Sequence, residues 1–148
     1  MITMLRNSKW GTAMTVAGVV AIVAGCASMS PMLGGQNVSL TGATQVPPVT
    51  TSASGNAMVD IKADRSVSAT VTVTGMTATA SHIHEAAAGA NGPVIVPFTK
   101  TGDNTFASLP DAKLTEAQYA AYKAGNLYVN VHSAKNPGGE VRGQLKGN

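Results

Sequence analysis

In residues 57–62 and 67–74 aliphatic residues recur at every second position. Ala57, Val59 and Ile61 alternate with Met58, Asp60 and Lys62, and Val67, Ala69, Val71 and Val73 with Ser68, Thr70, Thr72 and Thr74. Successive side chains of a strand point to opposite faces, so a period of two predicts two strands, each with one buried and one wet face. Ala63-Asp64-Arg65-Ser66 between them is of hairpin length, and the two strands should pair antiparallel with the threonine face in water.

Shorter runs of the same kind predict further strands at 37–41, 80–85, 94–100, 105–108, 127–132 and 140–146, separated by Gly, Pro, Asn and Asp. About eight short strands with such punctuation imply an all-β fold, an antiparallel Greek-key β-sandwich or barrel. One short helix interrupts them. Thr115 and Gln118 fit a capping box, Ala117, Ala120, Ala121 and Ala124 favour helix, and Gly125 stands where a left-handed residue would end it. Tyr119 and Tyr122 should cover one end of the strands. There is no internal repeat.

Residues 1–25 read as an export signal, with Arg6 and Lys9 ahead of an apolar stretch too short to span a bilayer. Val23-Ala24-Gly25-Cys26 follows and resembles a lipobox, the site at which bacterial lipoproteins are cleaved and acylated. The only cysteine of the chain is therefore the expected lipidation site. With Ala27 rather than aspartate after it, the expected destination is the periplasmic face of the outer membrane. Residues 26–36, rich in Ser, Met, Pro and Gly, suit a tether, and residues 37–148 one β domain. Loss of Arg6 and Lys9 with the signal leaves 8 of the 10 basic residues against 7 acidic ones. That near-neutral balance, without a basic run, argues against nucleic acid as a partner.

The three histidines fall in two strand motifs, Ser81-His82-Ile83-His84-Glu85 and Tyr128-Val129-Asn130-Val131-His132. His82 and His84 project to one face with Cα atoms roughly 6.6–7 Å apart, close enough for two imidazoles to share an ion. His132 is the one histidine left to supply a third ligand. Three imidazoles without a thiolate suit copper or zinc rather than calcium or magnesium. The same residues are also compatible with a hydrogen-bonded surface pair and a strand-end cap. Asn130, on the face of His132, is a candidate to orient a ring nitrogen or to make a cross-strand hydrogen bond. Arg142 is a candidate to draw an anion such as superoxide to the site, or alternatively to pair at the surface with Glu140. Glu85 should turn away from the histidines, and Met76 should pack. Residues 89–93 are expected to form a loop that leaves the site open to solvent.

Several motifs in order resemble the CHRD family, named after chordin. Leu40-Thr41-Gly42-Ala43-Thr44-Gln45-Val46-Pro47-Pro48-Val49 is similar to its first motif, and Ser81-His82-Ile83-His84 with Asn91-Gly92-Pro93-Val94 to its central one. Residues 124–132 and Pro137-Gly138-Gly139-Glu140-Val141-Arg142-Gly143-Gln144-Leu145 are similar to its C-terminal signature. Gln45 stands where the family commonly has Glu, and Ser133 where it commonly has Thr, so no role is placed on Gln45. The resemblance implies an all-β fold and makes His82, His84 and His132 the expected copper ligands, cycling between Cu(I) and Cu(II), with zinc as the lesser alternative. A looser likeness to copper-dependent superoxide dismutases rests on the histidine strand. The expectation is thus a copper-binding lipoprotein that sequesters or buffers the ion, the alternatives being a copper-only superoxide dismutase and a metal-free interaction module. There is no Gly-x-Ser-x-Gly elbow and no phosphate loop to suggest a hydrolase.

Overall fold

The computed structural model describes residues 34–147. In chain order these form β1 (Gln36–Thr41), β2 (Ser54–Ile61), β3 (Val67–Thr74), β4 (Ala78–Glu85), β5 (Val94–Gly102), β6 (Thr105–Ser108), the helix α1 (Glu116–Lys123), β7 (Leu127–Ser133) and β8 (Val141–Gln144). The signal segment, Cys26 and most of the tether lie outside the described residues.

The hairpin forms as the alternation requires, with Ala57 opposite Val71 and Val59 opposite Ala69. Val67, Ala69, Val71 and Val73 are buried, while Ser68, Thr70, Thr72 and Thr74 face solvent. At about 1.5–3 kcal/mol for each fully buried aliphatic side chain, this face alone strongly favours the observed register. A slip by one residue would bury the threonines instead.

Of the two architectures expected, the strands adopt the barrel. Antiparallel pairing runs β1-β2-β3-β6-β5-β4-β7-β8, and β8 closes on β1 where Thr41 lies opposite Arg142. The pairing of β3 with β6 and of β4 with β7 makes the connections cross the barrel ends in Greek-key fashion. Closure leaves no long free edge, which an eight-stranded sheet would otherwise expose. Leu40, Val59, Val71, Ile83, Phe106, Val129, Val131 and Val141 fill the interior.

Helix α1 carries the predicted cap: the Gln118 amide donates to Thr115 Oγ1 and the Thr115 amide to Gln118 Oε1. It ends at Gly125 with φ +76°. Tyr122 is buried, its hydroxyl accepting from Gln36 Nε2, and Tyr119 and Met76 pack against the core.

The site is built on the pairing of β4 with β7. Ile83 opposes Val129, and both point into the barrel. Period two then turns His82, His84, Tyr128, Asn130 and His132 outward, with His84 opposite Tyr128, His82 opposite Asn130 and His132 one pair further on, opposite Ala80. Segments 42–49, 86–93 and 134–140 contribute the side-chain and carbonyl partners of this outward face.

Candidate metal centre

The three rings meet on that outer face. Their centroids are 5.0 Å apart for His82 and His132, 5.6 Å for His82 and His84, and 5.9 Å for His84 and His132. One nitrogen from each ring can be chosen so that all three lie within 4.8 Å of one another. Three nitrogens arranged trigonally around one copper or zinc ion at about 2.0–2.1 Å lie about 3.5 Å apart. The cluster therefore needs to contract by up to about 1.3 Å to share an ion.

Backbone carbonyls decide which nitrogens are free. His84 Nδ1 lies 2.9 Å from the Gly92 oxygen, and His132 Nδ1 lies 2.9 Å from the Pro137 oxygen. A carbonyl only accepts, so both rings carry a proton on Nδ1 and, as neutral imidazoles, hold a lone pair on Nε2. His132 Nε2 uses its lone pair on His82 Nδ1, 3.1 Å away. His84 Nε2 is buried and has no hydrogen-bond partner among the described residues. Leaving such an acceptor unsatisfied costs about 1–3 kcal/mol, and a bound cation would remove that cost. The donor set fits a metal on this ground as well as by distance.

The electrostatics suit a cation too. Burial, reinforced by the neighbouring His132 and His84, lowers the pKa of His82 to about 4. Burial also lowers that of His84, opposed by its bond to the Gly92 carbonyl and assisted by the charges of His132 and Arg142. Both rings are therefore neutral at neutral pH, the form in which imidazole binds metal. Glu85 lies outside the cluster, so the donors in it are imidazoles only.

The residues around the histidines depart from the sequence expectations in four places. Asn130 makes no hydrogen bond to a ring nitrogen: Gln45 Nε2 donates to its Oδ1 at 2.6 Å, and its Nδ2 donates to the Gly138 carbonyl at 3.3 Å, beside the Pro137 carbonyl that holds His132. Gln45, given no role from sequence, is buried beneath this segment. Gly139 packs against both amides, since a Cβ there would lie 2.4 Å from Asn130 Oδ1 and 2.6 Å from Gln45 Nε2.

Arg142 does not form a surface pair with Glu140. It is 1% exposed, with its guanidinium 3.4 Å from the centroid of Tyr128, and this buried placement does not suit contact with an incoming anion. Glu140 turns elsewhere, accepting from Thr51 Oγ1 at 2.7 Å and from the Ser133 hydroxyl. Burial raises its pKa, but Ser133, Thr51, Asn136 and Lys135 outweigh that and hold the carboxyl below its ordinary value. Lastly, the loop after β4 does not simply leave the site open, because it supplies the Gly92 carbonyl and His84 is 8% exposed.

The sequence model of the CHRD domain matches residues 36–145, the segment that carries all three histidines and every strand described above. No curated protein and no solved structure matches the chain.

Proposed function

The chain belongs to the CHRD domain family, and we propose that it is a periplasmic copper-binding protein that holds one ion through His82, His84 and His132 for sequestration or buffering. The observation that carries this reading is the unpartnered, buried His84 Nε2 facing two further imidazoles. Three nitrogen donors suit Cu(I) and Cu(II); they also suit zinc, but a given nitrogen site binds Cu(II) more tightly than Zn(II). Copper would supply the redox couple. His84 and His132 would present Nε2, held in that tautomer by the Gly92 and Pro137 carbonyls. His82 would complete the set by giving up its contact with His132.

Holding rather than turnover is the favoured role, because superoxide chemistry gains from a cation at the mouth of the site and Arg142 is buried behind Tyr128. Copper titration of the purified chain, with competition by zinc and a superoxide assay on the loaded sample, tests this. One equivalent of copper should bind in preference to zinc, with loss of stoichiometric binding in His84→Ala and His132→Ala. Retention of one equivalent by both variants would overturn the assignment.

A further inference from the structure

Arg142 is the largest fully buried side chain of the barrel, and every acceptor of its hydrogen bonds is neutral. Burial lowers its pKa, yet a guanidinium remains charged in proteins. Burying a charge without a counter-charge costs several kcal/mol, and an apolar residue of similar size is often the more stable choice. Bulk alone does not account for arginine here.

What a guanidinium can do and an apolar side chain cannot is hold several acceptors at once. Nη1 donates to the Ala90 carbonyl at 2.8 Å and to Asn91 Oδ1 at 3.3 Å, and Nη2 to the Ala87 carbonyl at 3.3 Å and Gln144 Oε1 at 3.1 Å. Three of these four acceptors belong to the single loop that ends in Gly92. Asn91 is fixed further by donating to the Val46 carbonyl at 2.7 Å. The Tyr128 ring beneath the guanidinium is stacked on His84, with centroids 4.9 Å apart and planes 12° from parallel. Its hydroxyl accepts from the Gly92 amide at 3.2 Å. The residue whose carbonyl sets the His84 tautomer is therefore held at its own amide by Tyr128 and through its loop by Arg142.

We infer that Arg142 is a positioning residue for the metal centre: by gripping residues 87–91 it fixes the Gly92 carbonyl, and thereby keeps the proton of His84 on Nδ1 and its lone pair on Nε2. Its consequence for copper rests on the function proposed above, whereas its consequence for the tautomer does not. Partners that orient a ligating histidine typically account for a 10–100-fold difference in metal affinity.

The test uses the full, metal-free chain and long-range proton–nitrogen NMR spectra of the imidazoles, which read each tautomer directly. Wild type should show His84 with its proton on Nδ1. Arg142→Met, which fills the space without the donor fork, should give mixed His84 tautomers while His132, held by Pro137, stays unchanged. Arg142→Lys, which keeps charge but not the fork, should resemble the methionine variant. On the copper-loaded protein, competition with a chelator should show affinity reduced about 10- to 100-fold in both.

An unaltered His84 tautomer in Arg142→Met, or full rescue by lysine, would overturn the inference. If the Arg142 variants do not fold, Asn91→Ala, at an exposed position, decides. Mixed tautomers there support the grip, and an unchanged spectrum rejects it. If wild type binds no copper the function proposed above fails, while the tautomer measurement still stands.

Discussion

His82 and His84 are neutral in the fold at pH values where the same side chains in an unfolded chain are charged. Their folded pKa values lie below the ordinary 6.5, that of His82 at about 4. Between those limits the unfolded chain binds more protons than the folded one, so stability rises with pH across the window. Acidifying the metal-free protein from about pH 6.5 toward pH 4 should therefore lower its urea midpoint, with the loss from His82 complete near pH 4. His82→Ala should flatten that part of the profile. An identical pH profile in the variant would show that the imidazole is not desolvated as the structure places it. The three histidines were legible from sequence because strand periodicity puts two on one face and the chain has only one more. The role of Gln45 and the hold of Arg142 on the loop after β4 were not, since Asn130 lies 85 residues from Gln45 and that loop more than 50 residues from Arg142, and no local pattern announces a loop folding back onto a strand face.

At the scale of elements, β4 and β7 supply the rings and the segments after them supply the carbonyls that orient those rings. Gly92 is where this arrangement is tightest: a Cβ there would lie 1.8 Å from the Glu85 carbonyl oxygen. Gly92→Ala must push the loop away from β4, at a cost of about 1–3 kcal/mol in stability by analogy with overpacking. It should also reduce copper affinity about 10- to 100-fold through loss of the bond to His84 Nδ1. Chemical denaturation and chelator competition measure the two effects. Wild-type affinity in a folded Gly92→Ala protein would mean that the carbonyl does not matter. The strands themselves were readable: β3 and β6 have the bounds their sequence implies, and the expected β8 is longer than the observed Val141–Gln144. Its first expected residue, Glu140, instead turns to bond Thr51 and Ser133. Whether eight strands close into a barrel or split into two sheets is fixed by the pairing of β1 with β8, a contact between the first and last strands that alternation does not encode.

For the whole molecule, the barrel carries the histidines on its outer wall, where a metal ion can reach them without opening the core. Tethering such a domain through Cys26 would keep it at the membrane surface of an exported compartment. Metabolic labelling with a radioactive fatty acid should mark the wild-type chain and not Cys26→Ser, which should leave the membrane fraction on cell disruption. An unlabelled wild-type chain would reject the anchor and leave the metal site as it is. If three imidazoles hold one copper ion, X-ray absorption at the copper edge of the loaded Cu(I) protein will show about three nitrogen neighbours near 2.0 Å with the outer-shell scattering of imidazole rings. A dominant sulfur neighbour, as Met29 or Met32 of the tether would provide, or fewer than two imidazoles would contradict it.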